Sequence, residues 1–306
     1  MYEKIVLVTR RTRLAGLVER FNTKKQAKFY VEHAGQDFEE FSREDDAYRR
    51  AVDSLRGSLD VGLPVQQVDR SLVPTFLFTG KELVVVAGQD GLVANVAKYV
   101  GEQPLVGVNP DPERFDGILL PYAVAGARAA VRRVLEGKAA YRQVTLAEAR
   151  LEDGQRLLGF NDLFIGARTH VSARYRLRFE GREEAQSSSG VLVSTGAGSS
   201  GWLSSVFALA RGLTERTGGV PGKPWKLGWE EPRLAFVVRE PFVSRHSAAD
   251  VVGGFVTAEQ ELVLESRMAS GGVIFSDGVE EDFLTFGAGA TARIRPAKQR
   301  ARLVVG

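Results

Sequence analysis

VVVAGQDGLVANVAKYV, residues 84–100, carries an unbroken apolar run into a Gly-Gln-Asp-Gly turn and on into a helical pattern. A run of valines without polar alternation suits a strand buried on both faces, and such strands belong to parallel sheets covered by helices. Glycines flanking the turn let backbone N–H groups approach an anion, and the N-terminus of the following helix favours negative charge. Asp90 falls on this turn, at the carboxyl end of a strand, where open α/β sheets bind ligands. A carboxylate there can take the proton of a hydroxyl that attacks a phosphate. An aspartate in a strand–Gly–Asp–Gly turn also serves as a simple cap.

Outward from this stretch, residues 4–9, 63–68, 82–87 and 104–108 are further valine-containing runs of strand length. Helices are expected over residues 42–55, capped by Ser42 with Glu44 and Asp45 in its first turn, and over 91–100 and 122–135. Residues 11–40 read as a loop with some helix. Strands alternating with helices predict an α/β nucleotide-binding domain with a parallel sheet over residues 1–140. Beyond 137–145 the pattern changes. Ala173, Tyr175, Leu177 and Phe179 alternate with Arg174, Arg176 and Arg178, as in a half-buried strand. Strands are expected at 157–165, 191–194, 234–238, 261–266, 272–275 and 292–294, with a helix at 202–213 and a loop at 217–229. Many short strands and Gly-rich turns predict a β-rich, sandwich-like domain over residues 141–306.

Composition narrows the function. The 306 residues are 44% hydrophobic and 26% charged, normal for a globular chain. A net charge of +3 suits anionic ligands but lacks the basic stripe of a nucleic-acid binder. With no cysteine, disulfides, thiolate zinc sites and cysteine nucleophiles are excluded. His33, His170 and His246 are too scattered for a metal cluster. No run reaches the ~18 apolar residues of a membrane span. The strand-like Ile5–Val8 comes so early that no signal or transit segment is expected, and the expected location is cytoplasmic.

Two further stretches carry chemistry. LGFNDLFI, residues 158–165, places Asn161 and Asp162 side by side inside an apolar run. That pattern marks a bulge or an edge, or an amide and a carboxylate offered to ribose hydroxyls. SGVLVSTGAGSSGWLSS, residues 189–205, contains a formal G-x-G-x-x-G from Gly196 to Gly201 between a strand and a helix. A dehydrogenase fingerprint fits poorly, because the next acidic residue after a strand, Glu240, comes too late and the surroundings are β-rich. A Gly/Ser turn still offers N–H and hydroxyl donors to a phosphate or ribose.

In order and interval these stretches resemble the NAD kinase family. Gly88-Gln89-Asp90-Gly91 is similar to the family's Gly-Gly-Asp-Gly, Asn161-Asp162 to its Asn-Glu, and Thr195 to Trp202 to its Thr-x-x-Gly-Ser-x-x-aromatic motif. GVNPDPERFDGILLP (107–121), FNDLFIGARTHVSARY (160–175) and the tryptophan at Trp202 resemble the mitochondrial branch, and VTRRTR and Ser276–Gly278 also look like family features. The sequence departs from the family at Gln89 for glycine, Leu92 for threonine and Asp162 for glutamate. The resemblance implies a two-domain fold and transfer of the ATP γ-phosphate to the adenosine 2′-hydroxyl of NAD, with a divalent metal such as magnesium. It implies Asp90 as base and ribose contact within the Gly88–Gly91 turn. Asn161 and Asp162 would contact riboses, and Thr195, Gly201 and Trp202 would line the dinucleotide cleft with Ser205 nearby. No metal ligand follows from it. It also implies a homodimer or higher oligomer; from the charge and the apolar runs, neither nucleic acid nor membrane is expected as a partner. Two other functions fit the same residues. One is a non-catalytic dinucleotide binder, marked by NAD binding without ADP release. The other is a diacylglycerol- or sphingosine-type lipid kinase, marked by a broad acyl tunnel. The phosphate donor, ATP or polyphosphate, and the choice of NAD or NADH stay open at this level.

Overall fold

The computed structural model describes residues 2–306. The chain divides into two compact units, one reaching Arg142 and taking in Arg302–Gly306, the other Gln143–Ala301. In the first unit the chain forms β1 (Lys4–Thr9), α1 (Arg13–Phe21), α2 (Lys24–His33), α3 (Phe38–Ser58), β2 (Val65–Asp69), β3 (Glu82–Ala87), α4 (Asp90–Ala97), β4 (Pro104–Asn109), β5 (Tyr122–Ala123) and α5 (Val124–Leu135). The sheet is parallel, in the order β2-β1-β3-β4. Every residue of β3 and β4 is buried, as strands covered on both faces require. Leu7, Val85 and Val106 pack against Leu55 of α3 and Ala127 and Val131 of α5. From β1 the chain steps to β2 on one side, and it returns as β3 on the other. The carboxyl ends of β1 and β3 therefore flank the point where strand order reverses, the place where doubly wound sheets open a ligand crevice.

Residues 11–40 are more ordered than their pattern suggests. Thr12 caps α1 by accepting from the Ala15 amide (3.1 Å), and Thr23 caps α2 by accepting from the Gln26 amide (3.2 Å). Both helices pack through Leu14, Ala27 and Val31 on Phe38 and Phe41. The helix expected from Ser42 begins a turn earlier, at Phe38, because the Asp37 carboxylate accepts from the Glu39 amide (2.9 Å). Ser42 instead accepts from the Lys24 ammonium (3.2 Å).

The second unit is β-rich. It contains most of β6 (Ala140–Leu151), then β7 (Arg156–Gly159), β8 (Asp162–Ala167), β9 (Ala173–Phe179), β10 (Arg182–Ser188), β11 (Val191–Ser194), α6 (Trp202–Arg216), β12 (Leu234–Val238), β13 (Gly253–Val256), β14 (Leu262–Ser266), β15 (Gly272–Ser276), β16 (Val279–Thr285) and most of β17 (Thr291–Val305). One sheet runs β13-β12-β11-β8-β15-β16, all antiparallel. The strands β10-β9-β14-β17 form the facing layer, with β6 beside β17 and β7 beside β6. Leu163, Ile165, Val193 and Phe236 from the first layer meet Tyr175, Leu177, Leu264 and Ile294 from the second in one core. The end of β17 belongs to the first unit, where Arg302 and Leu303 pair parallel to Pro104 and Leu105. Among the described residues no helix is long and apolar enough to cross a membrane.

Candidate functional site

In the first unit two loops leave the sheet at the strand-order switch, Arg10–Arg13 after β1 and Gly88–Asp90 after β3. Tyr48, buried on α3, joins them: its hydroxyl accepts from the Arg10 amide (2.9 Å) and donates to the Ala87 carbonyl (2.8 Å). Burial pushes the Tyr48 phenol up, so it stays a protonated donor. Glu44, also on α3, receives Arg10 (3.0 Å) and Arg13 (2.6 Å). Burial pushes its carboxyl up, but the hydrogen bonds from Arg13 and Arg10 outweigh this and hold it below the usual carboxylate range. Arg114, from the loop after β4, joins Glu40 at 2.6 Å, so α3 fastens this loop as well.

Asp90 opens α4. Its two carboxylate oxygens accept the Ile118 amide (3.2 Å) and the Leu119 amide (2.7 Å), tying the turn after β3 to the loop after β4. The carboxylate is half-buried, so the loop amides occupy only part of its acceptor capacity. Gln89, at φ −112° and ψ 166°, is ordinary extended backbone and needs no glycine. Leu92 is buried and lies over Gly88, with its Cδ2 2.7 Å from where a Cβ would stand. Gly91 is exposed at the first turn of α4.

In the second unit the strand expected over 157–165 breaks in two at Phe160-Asn161, and the break is held from both sides. Asp277 collects amides: its Oδ1 accepts from Asn161 (2.6 Å) and Asp162 (3.3 Å), and its Oδ2 accepts from Phe160 (3.0 Å). Asp277 can do so because it sits with Gly278 in a tight β15–β16 turn, both at positive φ (54° and 69°). From the other side, Thr195 donates its hydroxyl to the Phe160 carbonyl (2.6 Å) and its amide to the Asn161 carbonyl (2.9 Å), while the hydroxyl accepts from the Gly198 amide (3.2 Å). Thr195 is fully buried, so it stands beneath the turn, where the sequence led us to expect it on a ligand-facing wall. The glycines have the same internal purpose. A Cβ on Gly198 would lie 2.0 Å from the Asn161 carbonyl oxygen, and one on Gly196 1.9 Å from that of Gly228. Asn161 and Asp162 thus project half-buried side chains from a backbone that is fixed at every peptide. Because β11 is antiparallel to both neighbours, the G-x-G-x-x-G stretch is no part of a βαβ unit, and the dehydrogenase reading falls.

Gly201 precedes α6 and Trp202 is its first residue, with Ser205 exposed one turn on and 3.5 Å from the Gly201 carbonyl. The Trp202 ring stacks on Phe164 of β8 (centroids 5.8 Å apart, planes at 11°), and the Arg239 guanidinium lies 5.1 Å from its centroid. Together they border a cavity of 740 Å³ within the second unit. A nucleotide entering that cavity should quench tryptophan emission. The expected result is a fluorescence change on adding NAD to the wild type and little or none in Trp202→Phe; an undiminished change in the variant would move the reporter to Trp225 or Trp229.

The chain is 27% identical to NAD kinase 2, mitochondrial, of Rattus norvegicus, over 63% of its own length and 61% of that protein. In sequence the chain is thus similar to an NAD kinase. It superposes with a TM-score of 0.56 on a yeast NADH kinase complexed with NADH, covering 100% of this chain and 84% of the other at 13% identity. It superposes with a TM-score of 0.53 on an NAD kinase from Archaeoglobus fulgidus in complex with ATP, covering 98% and 92% at 15% identity. At such identities the two structures speak for a shared fold, the α/β unit with its parallel sheet followed by the β-rich unit. No family model matches the chain. The chain spans 61% of the length of its rat relative.

Sequence reasoning gave no role to Tyr48, Phe164 or Arg239, and met Asp277 only as part of the Ser276–Gly278 feature. Only Asp277 left a readable trace, in Asp-Gly between two strands, a strong hairpin signal. The other three act through partners 30 or more residues away, such as Ala87 for Tyr48 and Trp202 for Phe164 and Arg239.

Proposed function

We propose that this NAD kinase-like chain is a phosphotransferase that moves the γ-phosphate of ATP to the 2′-hydroxyl of the adenosine ribose of NAD, giving NADP. The observation that carries this reading is the position of Asp90, at the carboxyl end of β3, ahead of α4 and beside the reversal in strand order. A carboxylate there can take the 2′-hydroxyl proton as the oxygen attacks phosphorus, and the leaving group is ADP. The fixed Asn161 and Asp162 are proposed to hold ribose hydroxyls, by the amide and the carboxylate respectively. Thr195 acts on them from below, as a positioning residue. Gly88 and Gly91 bound the turn that presents Asp90. Gly201, Trp202 and Ser205 begin the helix beside the 740 Å³ cavity. Among the described residues no group of three or more His, Asp or Glu is placed to hold a metal ion. Magnesium is proposed to enter bound to the phosphates of ATP. The test is ADP release that depends on both ATP and NAD. Tight NAD binding with no ADP released would favour the non-catalytic reading.

We also propose that the protein assembles at least as a homodimer, because the β-rich unit has sheet edges at β13 and β16 that a second copy would cover. Light scattering at micromolar concentration should give twice the 33.4 kDa chain mass or more, and a sharp monomer mass would contradict it.

A further inference from the structure

α6 packs on the sheet through Leu203, and two further faces flank that contact. Trp202 and Ser205 lie on one of them. Ser204, Phe207, Ala208 and Arg211 lie on the other, since residues three, four and seven positions on from Ser204 share its side of a helix. This second face borders another cavity, of 460 Å³, whose far wall is Gly222 and Pro224–Leu227 in the segment after α6. The cavity lies wholly in the second unit. It shares no residue with the 740 Å³ cavity beside Trp202. Its volume is in the usual range for small-molecule sites, about 300–1,000 Å³.

The apolar part of this cavity is anchored in the core. Trp225 meets Phe207 edge-on (centroids 5.3 Å apart, planes at 64°) and lies against Phe255 of β13 (4.7 Å). Gly253 leaves the indole its place, because a Cβ there would stand 3.1 Å from Cη2. Leu227 is buried with Leu192, Leu203 and Val237. Phe207 and Trp225 are themselves only half-buried, so each is fixed on one side and open on the other. The polar part has one sign. Arg211 and Lys226 line the cavity, and among the described residues no carboxylate does. Neither cation has an ion pair or a hydrogen bond among the described residues, and the Ser200 hydroxyl beside them has no partner either. Open ring and leucine surface gains from shedding water, and an unpaired guanidinium and ammonium gain from a carboxylate. One molecule meets both needs if it carries an apolar tail and a single negative charge.

The geometry points to a separate small-molecule site on this far face of α6, for a monocarboxylate with an apolar tail. The tail lies against Phe207, Trp225 and Leu227, and the carboxylate meets Arg211 and Lys226. The site does not depend on the phosphotransferase reading, and no residue proposed above to meet ATP or NAD belongs to it.

Calorimetric titration of the full chain with octanoate tests this, with octylammonium as the probe of equal tail and opposite charge. The wild type should bind octanoate, with a change in tryptophan emission, and should bind octylammonium about tenfold more weakly or worse. Arg211→Ala and Lys226→Ala, both at exposed positions and so of little consequence for folding, should each weaken octanoate about tenfold, the expected loss of a charge-assisted hydrogen bond. Ala208→Trp, also at an exposed position, puts an indole into the cavity and should abolish binding. Saturating NAD should leave the octanoate affinity within about threefold, because the two cavities have no residue in common. No octanoate binding at millimolar concentration would overturn the inference. So would octylammonium binding as tightly as octanoate, binding that both cation variants or Ala208→Trp leave unchanged, or displacement of octanoate by NAD. If octanoate behaves as stated but the wild type makes no NADP from ATP and NAD, the phosphotransferase reading fails and this one stands. If NADP forms and the cavity variants bind octanoate as the wild type does, only this inference fails.

Discussion

Asp90→Asn should lower the rate of NADP formation by about 10²–10⁴-fold, the usual cost of removing a general base. NAD binding should weaken far less. The amide keeps the shape of the side chain and can still accept the Leu119 amide, now at 2.7 Å. It turns an N–H toward the Ile118 amide, so one hydrogen bond to the loop is lost, at a cost of about 1 kcal/mol. Thermal unfolding reads that structural cost separately from turnover. A variant that unfolds near the wild-type temperature yet turns over hundreds of times more slowly has lost its base and kept its loop. The companion change Gln89→Gly should preserve or raise activity, because Gln89 occupies an ordinary extended conformation and its side chain makes no capping hydrogen bond to α4. If Asp90→Asn retains most of the turnover, the carboxylate is a loop clamp and the base lies elsewhere. If the wild type is inactive with every nucleotide acceptor and Gln89→Gly restores nothing, the non-catalytic dinucleotide binder becomes the better account.

Asp277→Ala should be the most damaging single change in the second unit. It strips the acceptor from the amides of Phe160, Asn161 and Asp162 and places alanine at a φ of 54°. Each buried amide left unpaired costs about 1–3 kcal/mol, so a loss of about 3 kcal/mol or more in unfolding free energy is expected. The functional effect should exceed the thermodynamic one, because the freed segment carries the Asn161 and Asp162 side chains. NAD affinity should fall even at temperatures where the variant is fully folded. Asp277→Asn, which tolerates positive φ and keeps one acceptor oxygen, should recover part of both. An alanine variant with unchanged unfolding and unchanged NAD affinity would show that the clamp positions nothing.

The sequence disclosed the elements whose causes are local. The valine runs of β1, β3 and β4 and the alternation of β9 follow from burial on two faces or on one, and each can be read without knowing its neighbours. The turn at Gly88–Gly91 and the start of α6 at Trp202 were legible for the same reason. Residues 11–40 were less so. The Thr23-x-x-Gln26 cap was present, but two short helices of 9 and 10 residues draw their stability from Phe38 and Phe41 of the next helix. The Asn161-Asp162 pair was visible as an interruption. Its mechanical basis was not, since Asp277 lies more than 110 residues away in sequence. The glycines of the G-x-G stretch carried a misleading signal. They look like a phosphate cradle, but Gly196 and Gly198 are glycine because the carbonyls of Gly228 and Asn161 come too near for any Cβ. Spacing alone could not distinguish a backbone that approaches a ligand from one that approaches itself.

The central claim, that this chain phosphorylates the adenosine ribose of a pyridine dinucleotide, is tested most directly by mass analysis of the dinucleotide pool. Purified protein is incubated with ATP, magnesium and NAD, and the products are followed over time. The expected result is NADP accumulating together with an equal amount of ADP, with the new phosphate on the adenosine 2′-hydroxyl. NAD recovered unchanged from a folded protein that binds it, with ATP or with polyphosphate as donor, would contradict the account.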